Sequence, residues 1–523
     1  MSDIVANLSN DAFALWLELS EYCHSEWLTE EGLRQIIEVN NGFTGNNILL
    51  TEYDFFFFAC GNERVTERII QYLLECFPDA ASATNKHGWS PLSWACCNKT
   101  VTPSIIELLI DAAPDSLRSV CKKGNTPLHF LFYNRKENET AAMEVCDLLI
   151  EKYPEMVRHA NDEGDLPIHY AAEETESPEF CRVLIEAYPG SERITNTKGF
   201  LPLHCACFRG SLPTVEYLYR LFPVAIGHEN TEGLYPIHMA IDLFDRRNPE
   251  SAVEIMKFLL DCDPNQKLIQ FEGCSLLELP CRLDYGDSII EASLQIINII
   301  YDAHPEAIEE NDIVANIHDY HQQVQSFING ELVYARQAKD QRLMTTPDDK
   351  GRLPLHTALQ NNVRLGSIKL LVKSNPHALQ SPDSSGALPL HIACKHHDSV
   401  DVVQYLVELD SASLDALDEK GNSALHYACS GAWHDIIALL LQKFDAVSVS
   451  KRNAENKLPI DLLWERNSVE DRESVEYTDS VFRLLKAYPE TVMSINDDDM
   501  TQQAELGIYP ENEKKRKWDT VEK

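Results

Sequence analysis

The amino-acid sequence predicts an all-α solenoid, in which helix–turn–helix units are joined by short turns or hairpins. Two sets of regularly spaced prolines support this prediction. The first lies in a Gly-x-x-Pro-[Leu/Ile]-His opening, complete or with single replacements, at Pro91, Pro127, Pro167, Pro202, Pro236, Pro354, Pro389 and Pro459, with Ala424 in the equivalent place. The second follows apolar stretches, at Pro78, Pro114, Pro154, Pro189, Pro223, Pro264, Pro305, Pro376 and Pro489. Both recur about every 35 residues, and a fixed period of this length is the signature of a repeat architecture.

The composition limits the classes of protein and partner. The 523 residues include 45 Lys and Arg against 83 Asp and Glu, a net charge of −38, and 44% are hydrophobic, enough for a folded core. A surface this acidic repels phosphate, so nucleic acid is not an expected partner. No apolar run approaches the roughly 18 residues of a membrane helix, and residues 1–10 lack the basic start of a secretory signal. The 15 cysteines are therefore expected to be reduced thiols inside the cell.

Each unit can be read from its opening onwards. Proline suits the first turn of a helix, where its missing N–H would have no intrahelical partner. Leu, His, Ala and often Cys follow on one face, as in Pro202–Cys207, and a second amphipathic stretch such as Val215–Tyr219 predicts a second helix. A residue before proline disfavours α geometry, so Tyr-Pro or Phe-Pro ends that helix. A short extended stretch then leads to a turn that begins with Asn or Asp and ends with Gly, as in Asn161–Gly164, or with Asn456 in the last unit.

The two ends and the middle depart from this pattern. Asp54–Cys60 and Gly273–Cys281 align with degraded openings, and the one interval of 118 residues between openings demands a further, cryptic unit within 309–346. We predict a helical cap over 1–40, a first repeat block over 41–262, degenerate and cryptic repeats over 263–346, a second repeat block over 347–496, and a polar, disordered tail with a basic cluster over 497–523. The segment 263–346 is expected to be the least stable and the most flexible, because solenoid stability is a sum of unit and interface contributions.

Nine openings of the Thr-Pro-Leu-His-x-Ala type at this spacing resemble the ankyrin repeat, over about residues 45–495. The sequence departs from the family where Leu replaces Thr before the proline, at Leu166, Leu201, Leu353, Leu388 and Leu458. The Thr-to-His hydrogen bond implied by the resemblance is available only at Thr126, and through Ser90 and Ser423. We therefore expect a divergent Leu-Pro-Leu-His subfamily, in which an apolar contact replaces that bond.

The motifs and their spacing favour structural roles for the recurring histidines and cysteines over catalytic or metal-binding roles. No phosphate loop, dinucleotide fingerprint, zinc-protease motif or nucleophile elbow occurs, and neither the first 40 residues nor 309–346 is long enough for a separate catalytic domain. We expect no enzyme activity, cofactor or metal. The opening histidines do not converge on a shared ion, because they lie about one repeat or more apart, at His129, His169, His204, His238, His356, His391 and His426. The resemblance to the ankyrin repeat implies that each bonds locally and to the adjacent repeat. The recurring cysteines are expected to be core residues, with a redox role for Cys96 and Cys97 as the alternative.

The function predicted is protein–protein interaction by a non-enzymatic scaffold or adaptor through its concave face. The resemblance implies contacts from the turn tips and the exposed side of the first helix. Aromatic and Arg side chains contribute most to interfaces. The candidates are Trp89, Phe132, Tyr133, Phe208, Arg209, Lys395, His396 and Trp433. For Trp433 the alternative is that it covers the next repeat, and for His396 that it is a solvated loop residue.

The acidic excess predicts a partner with a basic surface, although it could serve solubility alone. Two other functions stay open: a substrate-recruiting subunit of a ubiquitin ligase or another enzyme complex, and a nuclear regulatory protein. The second depends on Lys514, Lys515, Arg516 and Lys517, which resemble an import signal or form a merely solvated tail. The cytoplasm is the expected location and the nucleus the alternative. The sequence does not indicate an oligomeric state.

Overall fold

The repeating unit is a pair of antiparallel helices followed by a short turn. The computed structural model describes residues 10–39, 54–133, 139–242, 249–263, 265–266, 270–271, 274–282, 290–309, 311–431, 433–443, 450–466 and 475–487. The chain divides into two units, Met1–Ile299 and Ile300–Lys523. In each unit the helices form two rows, one of first helices and one of second helices, and this confirms the predicted all-α fold.

In the first unit, successive first helices pack against one another and so do successive second helices. The helices are α1 (Asn10–His24), α2 (Glu30–Val39), α3 (Asp54–Gly61), α4 (Glu67–Cys76), α5 (Pro91–Cys97), α6 (Pro103–Ala112), α7 (Pro127–Phe132), α8 (Glu139–Lys152), α9 (Pro167–Glu174), α10 (Glu179–Ala187), α11 (Pro202–Arg209), α12 (Leu212–Leu221), α13 (Pro236–Asp242), α14 (Pro249–Cys262) and α15 (Glu278–Arg282). α1 packs on α3 and α2 on α4, in the register of a further repeat. The described β structure is one antiparallel pair, β1 (Gln270–Phe271) and β2 (Cys274–Ser275).

The division between the two units falls inside α16 (Ile290–Ala303). The second unit continues with α17 (Asn311–Ala315), α18 (Gln322–Lys339), α19 (Gln341–Thr345), α20 (Pro354–Gln360), α21 (Leu365–Ser374), α22 (Pro389–His396), α23 (Val400–Leu409), α24 (Ala424–Gly431), α25 (His434–Lys443), α26 (Pro459–Arg466) and α27 (Val475–Ala487). From α20 onwards, successive first helices of this unit pack against one another, and so do its successive second helices.

The core lies between the two rows of helices. The Leu of each opening and the Ala and Cys that follow it are buried, as in Leu203, Ala206 and Cys207. All 15 cysteines are free thiols, and burial raises the pKa of Cys181 and Cys281 to about 12. Free Cys in such a position behaves as a small hydrophobic residue. The prediction that the recurring cysteines are core residues is confirmed.

The opening histidine caps its own helix and reaches the next repeat. In all seven, Nδ1 accepts a hydrogen bond from the backbone N–H three residues earlier, for example from Leu166 to His169 at 3.0 Å. The bond forms whether that residue is Thr, Ser, Tyr or Leu, because it needs only the backbone. Nε2 lies within hydrogen-bond distance of a carbonyl oxygen of the following repeat at His129 (3.0 Å), His169 (3.2 Å), His391 (3.1 Å) and His426 (3.2 Å).

The hydroxyl contacts expected at the opening are present where the side chain exists. Thr126 Oγ1 lies 2.8 Å from His129 Nδ1, and Ser423 Oγ lies 2.9 Å from His426 Nδ1. Ser90 meets Ser93, which stands at the His position, at 3.0 Å. Where Leu replaces Thr, the Leu side chain is largely buried, as at Leu166 and Leu201. An apolar contact therefore replaces the hydroxyl there, as predicted.

The turn tips form a hydrogen-bonded row along each unit. Within a tip, the first Asn or Asp accepts from two backbone N–H groups, as Asn161 Oδ1 does from Glu163 and Asp165 at 2.9 Å each. Between tips, one backbone N–H donates to the preceding tip, for example Thr197 to the Glu163 carbonyl at 2.9 Å. The predicted glycines have φ values near +80°, and Asn456 adopts +63° in the last tip. The turn chemistry read from the sequence is confirmed.

The second set of prolines begins short 3₁₀ helices, which the sequence did not reveal. The residue before the proline leaves the α-helix, as Tyr153 does with φ −146° and ψ 80°. Six of these 3₁₀ helices begin at a proline of the set, namely Pro78–Ser82, Pro114–Arg118, Pro154–Arg158, Pro223–Gly227, Pro305–Glu309 and Pro376–Gln380. Ser191–Arg193 begins two residues after Pro189, and Ser411–Leu414 occupies the equivalent place without a proline. An arginine at the end of three of the 3₁₀ helices lies over the pre-proline aromatic ring of the next repeat, with Arg158 4.7 Å from the centre of the Tyr188 ring. This cation–π contact gives the aromatic residue a structural role.

Residues 311–345 lack an opening and contain a long helix between short ones. α18 runs for 18 residues and buries Val324, Ile328 and Leu332 at intervals of four. A buried polar chain joins it to its neighbours: the Tyr301 hydroxyl and Ser367 Oγ lie 2.8 Å apart, and Ser367 Oγ donates to Glu331 Oε2 at 2.5 Å. Burial raises the pKa of the Glu331 carboxyl. Side-chain hydrogen bonds therefore take the place of the missing repeat motif here.

The glycines with positive φ generate the first prediction, because the tip glycine Gly164 faces both a backbone and a packing constraint, whereas Gly190 lies outside the tips, directly before the 3₁₀ helix Ser191–Arg193. At Gly164 (φ +80°) an added Cβ would lie 2.7 Å from the Thr197 backbone nitrogen, whereas at Gly190 (φ +92°) no described heavy atom lies within 4 Å. Gly190→Ala should therefore lower the free energy of unfolding only through the strain of the left-handed backbone conformation, by about 1–2 kcal/mol. Gly164→Ala should cost about 2–4 kcal/mol, since it also disrupts the bond between tips. Urea unfolding measures both, and equal losses would contradict the role assigned to the tip contact.

The second prediction concerns pH. Burial lowers the pKa of His129 to about 4 in the folded protein, whereas an unfolded histidine titrates near 6.5. The unfolded state binds more protons between these values, so the stability contributed by His129 is present above pH 6.5 and is lost as the pH falls towards 4. His129→Gln should remove this dependence, so its destabilisation should be about 2 kcal/mol smaller at pH 5 than at pH 7.5. Urea unfolding at both pH values tests this prediction, with His87→Gln, in an exposed turn, as the control. A destabilisation by His129→Gln that does not change with pH would contradict it.

Candidate interaction surface

The candidate surface consists of the turn tips and the side of the first helices that faces away from the second helices. The residue after the opening His lies on that side, and it is partly exposed at Tyr170 and Tyr427. Both rings are anchored by their hydroxyls. Tyr170 receives hydrogen bonds from the Asn125 and Asn161 amides at 3.5 and 3.4 Å, and Tyr427 donates to Asp418 at 2.6 Å. These aromatic side chains are held in position before any partner arrives.

An aromatic cluster lies at the N-terminal part of this surface. Trp89, in a turn tip, contacts Trp94 with ring centres 5.0 Å apart and Phe130 at 4.2 Å. Trp94 in turn lies 6.2 Å from Phe57, edge to face. Trp89 and Trp94 are half-buried, and Tyr133 nearby in sequence is 52% exposed. The cluster joins three successive repeats and leaves aromatic surface available to a partner.

One predicted contact residue is in the core. Phe132 is completely buried and packs edge to face against Phe180, with ring centres 5.4 Å apart. Its place at the C-terminal end of α7 points its ring between the helix rows, whereas the next residue, Tyr133, points outwards. The interpretation of Phe132 as a contact residue was wrong for this reason, and that of Tyr133 stays a prediction.

Phe208 and Arg209 lie at the end of α11 and are half-buried. The Arg209 guanidinium lies 5.3 Å from the centre of the Phe208 ring, and its Nη1 contacts Glu173 at 3.3 Å and Glu174 at 3.1 Å. Burial, and then the negative charge of Glu174, raises the pKa of the Glu173 carboxyl to about 7. The Arg209 guanidinium is therefore held by the side chains of Glu173 and Glu174 and by the Phe208 ring.

The candidates in the second unit form a smaller group. Lys395 Nζ lies 5.6 Å from the centre of the Tyr427 ring, and the Lys395 carbonyl accepts from Trp433 Nε1 at 3.3 Å. Trp433 thus covers the preceding repeat. His396 is half-buried, and burial lowers its pKa, with Lys395 adding to the effect. The structure brings Lys395 and Trp433 together, while the basic cluster Lys514–Lys517 lies outside the described residues.

Sequence reasoning missed Trp94, Phe130, Tyr170 and Tyr427. All four occupy the variable position directly after the opening His or its equivalent, in Pro-Leu-His-x-Ala. Trp94, Tyr170 and Tyr427 are partly exposed at that position, whereas Phe130 is buried and supports the Trp89 ring. The aromatic residues at that position were therefore a usable signal.

The described part of the chain shows neither a candidate metal site nor a helix that could cross a membrane. No three His, Cys, Asp or Glu side chains there are placed to hold a metal ion. No described helix combines the length and the apolar character that crossing a bilayer requires. Five of the opening histidines are fully buried with their Nδ1 atoms already bonded, which is consistent with a structural role.

Comparison with known families supports the same assignment. A family model described as "Ankyrin repeats (3 copies)" matches residues 138–229, 168–268 and 313–418, and one described as "Ankyrin repeat" matches residues 420–454. A comparison with curated proteins finds no match. The matched residues span more than half of the chain and include α18, where the sequence shows no opening. The predicted resemblance is confirmed: the chain belongs to the ankyrin repeat family, a family that typically mediates protein–protein interactions and carries no enzyme activity.

Proposed function

We propose that this protein is a non-enzymatic scaffold or adaptor, which binds another protein through the turn tips and the exposed side of its first helices. The observation that carries the proposal is the aromatic cluster of Trp89, Trp94 and Phe130, in which the two tryptophans are only half-buried and pack on the buried Phe130 ring or on each other. Rigid aromatic side chains at the centre of a surface are the residues that most often dominate binding energy. Free thiols throughout support action inside the cell, with the cytoplasm as the proposed location.

The first alternative is a substrate-recruiting subunit of a ubiquitin ligase or other enzyme complex. Such a subunit needs a separate element that docks on the enzyme, and the sequence offered only the first 40 residues for it. α1 and α2 pack on α3 and α4 in the register of a repeat. This packing favours the adaptor. A nuclear regulatory role still depends on Lys514–Lys517 alone.

The partner is proposed to present a basic surface. Several acidic residues form ion pairs within the protein: Glu174 with Arg209, Glu179 with Arg182, Glu306 with Lys373 and Glu309 with Lys339. Yet 83 acidic residues exceed 45 basic ones, which leaves the chain with a net excess of 38 negative charges. This excess supports an attraction for a basic partner, and its field is screened beyond roughly 8 Å at physiological salt.

The third prediction tests the surface. Affinity purification of the full chain with mass spectrometry supplies the partner. Tyr133→Ala should then weaken binding by about 1–3 kcal/mol while changing stability by less than about 0.5 kcal/mol. Val224→Ala is the matched control, because Val224 is 73% exposed but belongs to a 3₁₀ helix outside the first helices and tips. Isothermal calorimetry measures both; equal effects of the two variants would contradict the proposed surface.

The fourth prediction tests the role of the charge. If the acidic surface attracts the partner, the association rate constant should fall at least about tenfold between roughly 50 and 500 mM salt, because steering acts mainly on association. Stopped-flow fluorescence measures this rate. A rate constant that does not change over this range would show that the acidic surface serves only solubility.

A further inference from the structure

A pocket lies beside the aromatic cluster, where the ends of α1 and α3 meet Trp94 of α5. Its volume is about 360 Å³, and its walls include His24, Glu26, Phe58, Glu63 and Trp94. Arg64 completes the rim. The pocket lies entirely within the first unit, and it extends the candidate surface towards the N-terminal helices.

The polypeptide around the pocket is fixed by side-chain amides. The Asn62 amide donates to the carbonyl oxygens of Cys23 at 3.0 Å and of Ser25 at 2.8 Å. One repeat later, the Asn98 amide donates to the carbonyls of Cys60 at 3.0 Å and of Asn62 at 2.8 Å. These bonds fix the ends of α1 and α3 relative to each other. The pocket is therefore formed before a ligand binds, which lowers the entropic cost of binding.

The aromatic wall depends on a glycine. A Cβ added at Gly61 would lie 2.1 Å from Trp94 Nε1, so only Gly leaves room for the indole to lie against the end of α3. Phe58 forms the opposite part of the wall and is half-buried, with its ring centre 5.2 Å from that of His24 in an edge contact. Two aromatic rings thus line a cavity that is open to solvent at a charged rim.

The charges at the rim are net negative. Glu26, Glu63 and Arg64 are all exposed, and within the described residues none of the three forms an ion pair. Two carboxylates therefore face one guanidinium that neutralises neither of them. Around them, the chain as a whole carries a charge of −38. The pocket thus combines aromatic rings with unpaired carboxylates, and its local field favours a cation.

We propose that this pocket receives an arginine side chain of the partner protein. The inference rests on the proposed function and names the group that the surface recognises. Arginine fits because its planar guanidinium stacks on aromatic rings and pairs with carboxylates through two N–H groups, while its apolar stem covers apolar surface. Lysine carries a more strongly hydrated charge and stacks less well. The rim carries more acidic groups than its one basic group, Arg64, and this excess disfavours a ligand that carries a carboxylate.

The experiment uses the full chain with ¹⁵N-labelled tryptophan and three probes: the Nα-acetyl, N-methylamide derivatives of arginine, citrulline and glutamate. Citrulline matches arginine in shape but carries no charge. The arginine probe should shift the Trp94 indole signal, assigned with Trp94→Phe, in a saturable way, and citrulline should bind at least tenfold more weakly. Glu63→Gln should weaken arginine binding at least threefold, whereas Glu151→Gln, exposed on the distant helix α8, should not change it.

Other outcomes overturn the proposal. Equal binding of arginine and citrulline would show an uncharged pocket, and tighter binding of glutamate that is lost in Arg64→Gln would show an anion site. The absence of any saturable shift would show that the pocket binds no such side chain. The proposed function is separable from these results: a purified partner that binds Glu63→Gln normally but loses affinity for Tyr133→Ala would overturn the arginine pocket and leave the interaction surface intact.

Discussion

The rest of this fold depends on the two hydrogen bonds that a buried, uncharged histidine ring makes. At His129, His169, His391 and His426, one ring nitrogen accepts from the N-cap of its own helix and the other lies against a carbonyl of the next repeat. Only the neutral ring with its proton on Nε2 can make both bonds. A protonated ring would lose the acceptor at the helix start, and burial makes that charged form costly, which explains the lowered histidine pKa values. The opening motif is therefore a link between repeats as much as a helix start.

The turn tips supply a second link, beside the same N-terminal end of the first helices, as between Asn161–Gly164 and the start of α9 at Pro167. Backbone bonds between tips require close approach, and the glycines with positive φ permit it, since an added Cβ would meet the next tip at Gly124, Gly199, Gly351 and Gly386 at 2.9 Å each. With the N-terminal end of the first helix tied to a neighbour by both links, the exposed side of that helix is left for side chains that the stack does not need. Aromatic and charged residues there can serve binding without weakening the array.

The sequence predicted the repeated features well because each is set by local rules. Proline at the first helical position, the pre-proline break at Tyr153 and the Asn-to-Gly turns at Asn161 act within a few residues. Features set by distant contacts were not predictable. α18 depends on the chain Tyr301–Ser367–Glu331, which spans 66 residues, and the burial of Phe132 depends on Phe180 in a different repeat. The same limit explains why the pocket at Trp94 was not foreseen, since its walls come from three repeats.

The neutral histidines join the repeats into a stack, and the stack carries the proposed binding surface. The dependence of the stack on neutral histidines is tested most directly by long-range ¹H–¹⁵N correlation spectra of the protein labelled with ¹⁵N-histidine, recorded at neutral pH. The account predicts that the four linking histidines are neutral and carry their proton on Nε2, with Nδ1 as a hydrogen-bond acceptor. Protonation of Nδ1, whether in the other neutral form or in a charged ring, would contradict the link between repeats described here.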